Sequence, residues 1–388
     1  MKIKSLSAKA INDTRGEKTV EISLKTDLGN FIASAPNGKS RGEFEINPWK
    51  KNIVSDINAV NKFFIEDINF REFNDLHLIE DSFSDRVGGN TMVALQSAFL
   101  KALAGKEDKE VWELVSESIR SKPKKIPFPI GNIIGGGAHS NWKSTVFQEF
   151  HLIPFGNMNK NREVLKRGWE NAREILSNLD KNFKRKTNDE NAWQTTIDDK
   201  NIIEVMTDIK ENMVDEFGIK VHLGVDVAGS EFFKIKNYVY KKDKFSKDYQ
   251  IKYMQNLSDK FYYIEDPLEQ NDFSGFSEIL KKSKSLIVGD DLTASNPERL
   301  KLAIRNKSIN GVIIKPNQIG SLLKVRELVE ICKKNNIKMI FSHRSGETSE
   351  NIIADVAFGF QSDFVKFGAF GPGRDEKLRR LSEIEEKL

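Results

Sequence analysis

From about residue 221 the chain repeats one pattern six times: a short apolar segment, then a charged residue, then a helical stretch. The segments are VHLGVDVAG, FYYIEDP, SLIVGDDL, GVIIKP, MIFSHR and FVKFGA. Runs this short and apolar are strands buried on both faces, and strands alternating with helices require a parallel sheet with crossovers. One intervening helix is marked at its start, with Asn296 as cap, Pro297 at the first helical position and Glu298 in the first turn. Six such units in series predict a closed (β/α) barrel more than an open sheet.

The charged residues fall near the strands' C-terminal ends: Asp226, Glu265, Asp290, Lys315, His343 and Lys366. In an α/β barrel those ends converge on one mouth, where active sites sit. One such charge means little, but six in register are not explained by loop solubility. The ring gathers three carboxylates and two lysines. With no cysteine beside them, three carboxylates suit a hard cation, and magnesium is the natural choice because it keeps positions open for a substrate's oxygens. Two lysines in one mouth are expected to disfavour each other's protonation, helping one to act as a base.

The first third reads differently. KIKSLSAKAI, TVEISLKTD and NFIASAP are strand-like, the last two joined by the turn sequence DLGN. NIVSDINAVNKFFIEDI, NTMVALQSAFLKALAG and VWELVSESIR follow as helices. The Lys- and Pro-rich SKPKKIPFP at 121–129 marks the expected boundary. The division is therefore an N-terminal α+β domain over 1–122, a three-stranded meander plus helices, and a barrel domain over 123–388.

Composition excludes several classes. Lys and Arg total 61 against 57 Asp and Glu, which gives no electrostatic case for nucleic acid or a membrane as partner. No apolar run approaches a membrane span, and the start MKIKSLSAKA lacks the long apolar segment of a signal peptide. Cys332, the one cysteine, lies in the apolar-periodic ELVEICKKNN and reads as core packing, so an internal disulfide and a cysteine zinc site are excluded. A cytoplasmic protein is expected. NGKS at 37–40 contains the end of a phosphate loop, but Ala33 stands where its first glycine belongs. GGGAHS at 135–140 is not a dinucleotide fingerprint.

VGDDLTASNPERL, IIKPNQIG, FSHRSGET, FVKFGA and the terminal EIEEKL resemble the enolase family, as do NDTRGEKTVEI, PNGKSRGE, NIIGGGAHS, QEFHLIP, VDVAGSEFF and YYIEDPLEQNDF. Order and spacing agree over nearly the whole chain. The resemblance implies an α/β protein whose N-terminal domain precedes an enolase-type (β/α)8 barrel. It implies phosphopyruvate hydratase activity, the reversible dehydration of 2-phosphoglycerate to phosphoenolpyruvate. It also implies two magnesium ions per active site, the second entering with substrate, and a homodimer or higher homo-oligomer.

Carried over by position, the resemblance gives Asp226, Glu265 and Asp290 to the first magnesium and Ser40, on a mobile loop that binds substrate, to the second. Lys315 is the base at C2, and Glu190 helps the C3 hydroxyl leave, assisted by Glu149. His139 lies on the phosphate or leaving-group side. Arg344 and Ser345 bind the phosphate, Lys366 binds the carboxylate, and His343 is the motif's histidine in the substrate site. Five features depart from the family pattern. The segment after His139 is one residue longer, Gly135 replaces an asparagine, Lys39 and Arg41 replace small or hydroxyl residues, Asn191 replaces a glycine, and Glu383 replaces an arginine. Lys39 and Arg41 are expected to attract the substrate's phosphate. Glu383 is expected to face a partner's acid near the position of Glu21. The competing readings are a superfamily lyase acting on another acid and a non-catalytic binding protein derived from an enolase. Both sit poorly with an intact set of Lys315, Glu190, Arg344, Ser345 and Lys366.

Overall fold

The structure is a computed structural model, and it describes all residues except 40–41, 64–69, 138–144 and 241–242. Strands β1 (Ile3–Asn12), β2 (Lys18–Thr26) and β3 (Asn30–Ser34) form the antiparallel meander that the sequence predicts. Val20, Ile22, Leu24 and Ala33 point to one fully buried face, the period-2 pattern of a half-buried sheet. That face packs on the helix Gly89–Glu107, which is buried over most of its length. Gly88 has no side chain with which to cap this helix. The buried Asp56, from the preceding helix Ile53–Asn61, does so from outside, accepting from Gly88 N at 2.8 Å and Thr91 Oγ1 at 2.9 Å. The helices Leu76–Phe83, which the sequence reading passed over, and Val111–Ser118 complete this part.

The rest is built on one sheet of β4 (Phe128–Pro129), β5 (Gly131–Gly135), β6 (Glu149–Pro154) and β7 (Val221–Asp226), then five strands beyond a small hairpin sheet. That hairpin sheet holds β8 (Phe233–Lys234), β9 (Asn237–Tyr240) and β10 (Asp243–Ser246). The barrel continues with β11 (Tyr263–Glu265), β12 (Leu286–Gly289), β13 (Gly311–Ile314), β14 (Lys338–Ser342) and β15 (Phe364–Lys366). β7 and β11 to β15 are parallel throughout, as the alternation requires.

Closure comes from a shared strand. β4 pairs with β15 in parallel while β5, one residue further on, pairs with β6. Ile130 between them keeps the ladder unbroken by donating its N–H to Val365 O at 2.8 Å. The segment 128–135 therefore joins the sheet's two ends. One strand breaks the expected regularity: β6 is antiparallel to both β5 and β7. The barrel interior is filled by Ile130, Ile153, Tyr263, Val288, Ile313, Ile340 and Phe364, which form one apolar plug. Burying each of these side chains contributes about 1.5–3 kcal/mol, so the barrel is a packed core closed at one end. Cys332 is buried in the surrounding helix layer, as expected, and burial pushes its thiol up to about 12. Asn296 caps the helix Pro297–Arg305, accepting from Glu298 N at 2.9 Å and Arg299 N at 3.2 Å.

Candidate active site

Asp226 and Glu265 end β7 and β11, and Lys366 ends β15; Asp290, Lys315 and His343 each stand one residue beyond β12, β13 and β14. All but Glu265 line one cavity at the mouth, together with Glu149, Glu190, Arg344 and Ser345; Glu265 is fully buried beside it, against Lys366. The reversed strand explains how Glu149 joins them. Because β6 runs against its neighbours, its first residue lies beside the last residue of β7, and Glu149 pairs with Asp226 across the ladder.

Lys366 is the hub. Its Nζ lies 3.2 Å from Glu149 Oε1, 3.2 Å from Asp226 Oδ2 and 2.9 Å from both oxygens of Glu265. Burial opposes the charge on Lys366, but the carboxylates of Glu149, Glu265 and Asp226 outweigh it and hold the pKa well above the ordinary lysine value. Burial and the nearby Asp226 raise Glu265, which also accepts the Tyr263 hydroxyl proton. Lys315 reaches Asp290 Oδ2 at 2.5 Å. Burial pushes Lys315 down, yet Asp290 prevails and its pKa is raised; burial pushes Asp290 up, yet Lys315 prevails and its pKa is lowered. Both lysines therefore hold their protons more tightly than usual. Lys366 does work against the charge on Lys315, as the sequence suggests, but the carboxylates paired with each lysine outweigh that effect, so neither is left as the easily deprotonated base expected.

Among the described residues no three acidic, histidine or cysteine side chains are placed as a ready metal-ligand set. The carboxylates are nevertheless suited to a divalent ion. Asp290 Oδ1 is buried without a hydrogen-bond partner among the described residues, and an orphaned carboxylate oxygen is costly unless something binds it. Gln148 Nε2 donates to Asp226 Oδ2 at 3.2 Å, and Asp266 fixes the next strand end by accepting from Asp290 N at 3.0 Å and Asp291 N at 2.7 Å. Burial and Asp290 raise Asp291 to about 7.

Across the mouth, Glu190 Oε2 accepts from Asn132 Nδ2 at 3.2 Å, and His343 Nε2 lies 3.6 Å away. The turn carrying Glu190 needs a left-handed residue next, and Asn191 takes that conformation at φ 62. Asparagine tolerates it better than other residues with a Cβ, so the replaced glycine costs little. The turn is pinned by stacked Trp169 and Trp193, ring centroids 4.2 Å apart, with Trp169 Nε1 donating to Asn191 O at 2.6 Å. Arg344 Nη1 is 3.0 Å from Glu45 Oε2, and Ser345 Oγ accepts from Lys39 N at 2.9 Å and Arg15 Nη1 at 3.2 Å. Gly38 permits this close approach: a Cβ there would lie 2.0 Å from Arg344 Nη2. Lys39 Nζ turns to Asp189 Oδ2 at 2.7 Å, so its charge is matched by a carboxylate, contrary to the expectation of a cation offered to substrate. Ser40, Arg41 and His139 lie outside the described residues.

Sequence reasoning missed Asn132, Gln148, His151, Glu45, Asp266 and Tyr263. For His151 and Tyr263 a signal existed, since each stands two residues from a site carboxylate on the same strand and so faces the same way. His151 Nε2 is 2.8 Å from Glu149 Oε2.

The sequence model of the enolase C-terminal TIM barrel domain matches residues 123–388. Curated relatives span the whole chain. The enolase of Picrophilus torridus is 38% identical, covering 100% of this chain and 99% of the relative. That of Methanosphaera stadtmanae is 36% identical, covering 100% and 97%. That of Archaeoglobus fulgidus is 35% identical, covering 100% and 98%.

Proposed function

The chain belongs to the enolase family, and from that premise we propose how its own residues carry out the reaction. Its activity is that of a phosphopyruvate hydratase, a lyase of glycolysis. The substrate is 2-phosphoglycerate, which loses water to give phosphoenolpyruvate. The observation that carries the assignment of roles is the opposition across one mouth: Lys315 beside Asp290 on one side, Glu190 with Asn132 and His343 on the other.

A proton α to a carboxylate is weakly acidic, and removing it adds a second negative charge to that carboxylate. Lys366 and Arg344 supply fixed positive charge in a buried cavity, where it acts at full strength. Lys366 binds the substrate carboxylate, and Arg344 with Ser345 binds the phosphate. Lys315 takes the C2 proton. Burial, Arg344 and Lys366 all work against its protonation, and Asp290 is the main group that opposes them, so Lys315 becomes a base once Asp290 is engaged elsewhere. Glu190, supported by Glu149, gives a proton to the departing C3 hydroxyl. His343 packs beside Glu190 in the substrate site. Ser40 and His139 complete the set by family resemblance.

Asp226, Glu265 and Asp290 would hold magnesium, and a second ion would enter with substrate at Ser40. When bound, these ions supply Lewis-acid stabilisation of the substrate carboxylate. The unsatisfied Asp290 oxygen and the all-oxygen donor set support this choice.

The domain division at 122/123 is supported by the irregular backbone between Ser118 and Phe128. A cytoplasmic location agrees with a described chain in which no helix is long and apolar enough to cross a membrane. A homodimer through the N-terminal domain is our reading of assembly. Glu21 is already paired with Lys9 at 2.8 Å, and Glu383 lies near Arg379 and Arg380 at 3.9 and 3.5 Å, so the two acids would meet partly neutralised.

Purified protein given 2-phosphoglycerate and magnesium should form phosphoenolpyruvate, detected by its ultraviolet absorbance. Chelator should abolish the reaction and added magnesium restore it. No turnover under these conditions would refute the assignment of roles.

A further inference from the structure

Running downward from the mouth, β6 alternates Glu149, His151 and Ile153 on its inward face. Glu149 belongs to the charged ring and Ile153 to the apolar plug, so His151 occupies the level between them. It is fully buried. Its ring stands edge-on to Tyr263 with centroids 5.7 Å apart. On β7 the residue opposite is Gly224, where a Cβ would lie 3.2 Å from His151 Nδ1. A bare backbone there leaves room for the ring edge. It supplies no partner for that nitrogen, and His151 Nδ1 has none among the described residues.

The two ring nitrogens therefore face different worlds. An Nδ1–H tautomer would bury a donor with nothing to accept it and turn the Nε2 lone pair against a carboxylate oxygen 2.8 Å away. The Nε2–H tautomer satisfies the carboxylate and leaves only a lone pair unmatched, the cheaper fault. The doubly protonated ring is disfavoured by burial and by Lys366, which push its pKa down to about 3.

We propose that His151 is a positioning residue for the dehydration, a neutral Nε2–H donor that holds the Glu149 carboxylate at the mouth with its other oxygen toward Lys366. This role rests on the functional reading above. Lys366 is shared among three carboxylates, so when it turns to the substrate, Glu149 loses part of its support. His151 holds the other carboxylate oxygen throughout, and so keeps Glu149 oriented while Glu190 acts.

The test has two arms. In full-length wild-type protein labelled with ¹⁵N-histidine, the resonances absent from H151Q belong to His151, and they should show a neutral Nε2–H ring from pH 6 to 8. Steady-state kinetics then compare H151Q, whose amide nitrogen reaches nearly as far as Nε2, with H151M, which fills similar space without a donor. A hydrogen bond to a charged group is worth a factor of roughly 10 to 100. H151M should lose about that much in kcat with KM nearly unchanged, and H151Q should recover most of it. H151N, a methylene too short to reach, is the second loss variant if methionine does not pack. An imidazolium or Nδ1–H ring would overturn the proposal, as would wild-type kcat in H151M or H151N, or equal losses in the Gln and Met variants. Wild-type protein inert toward 2-phosphoglycerate, with the Nε2–H ring intact, would instead sink the functional reading and the positioning role with it, while the hydrogen bond itself stood.

Discussion

Replacing Lys366 by Met removes one ammonium from among three buried carboxylates. The wild-type Nζ sits within 3.2 Å of Glu149 and Asp226 and 2.9 Å of Glu265, so the variant leaves all three without their shared counter-charge. Breaking a buried ion pair from one side costs about 3–5 kcal/mol. Unfolding entropy of about 2.1 cal/mol/K per residue over 388 residues converts that cost to a drop of roughly 4–6 °C in Tm. The deficit depends on pH. Burial and Asp226 already raise the Glu265 pKa, and loss of the ammonium raises it further. A carboxyl with a raised folded pKa costs stability as pH climbs through and beyond its unfolded value. The difference from wild type should therefore be small near pH 4 and largest at pH 7 to 8. Magnesium should raise the variant's Tm more than the wild type's, because an ion can take over the charge that the lysine supplied. Calorimetry of both proteins at two pH values, with and without magnesium, provides the check. A variant matching wild-type Tm at pH 8 without metal would refute the account of Lys366 as the charge that holds the ring together.

Four other outcomes are expected. Ile235 and Lys236 form the two-residue loop between β8 and β9 with φ of 45 and 65, a conformation that suits Asn-Gly and strains a β-branched residue. Ile235→Asn with Lys236→Gly should stabilise the protein by about 1–2 kcal/mol, and an unchanged or lower urea midpoint would contradict this. Lys315→Ala should abolish both hydrogen exchange at C2 and dehydration, whereas Glu190→Gln should lose dehydration and keep some exchange, each loss being about 100- to 10,000-fold; near-normal exchange in Lys315→Ala would remove it as the base. Gly38→Ala should push Arg344 away from its present position, since the new Cβ would meet Nη2 at 2.0 Å; KM should rise while Tm scarcely moves, and an unaltered KM would separate Arg344 from substrate binding. Sedimentation should show a dimer at micromolar concentration, weakened by less than about 1 kcal/mol from the Glu21 and Glu383 charges, and a monomer would overturn that assembly.

The six strand ends were legible because a parallel strand buried on both faces is a plain apolar run, and its first charged residue marks where it meets solvent. Asp226, Glu265, Asp290, Lys315, His343 and Lys366 all stand within one residue of their strands' ends. The direction of β6 was not legible. Its six residues are all buried, and burial on both faces erases the alternation from which a face could be read; direction is set by the partner strands, far away in sequence. The closing strand was hidden for a similar reason, being split at Ile130 between two partners. The charge state of the lysines was misjudged because a list of strand ends contains no distances. The approach of Lys366 to three carboxylates exists only in three dimensions.

The order in which the charges occur along the chain bears on how the protein emerges from a ribosome. Glu149, Glu190, Asp226, Glu265 and Asp290 all precede Lys315, Arg344 and Lys366. A nascent chain thus makes these five acids before it makes Lys315, Arg344 or Lys366. The strand that seals the sheet waits as well: β4, near the barrel's beginning, has its parallel partner in β15, almost at its end. A chain that has not yet made β15 has a sheet without its closing partner and three carboxylates without their shared ammonium. The strand that closes the sheet and the ammonium that Glu149, Asp226 and Glu265 share thus arrive together, in the three residues Phe364–Lys366.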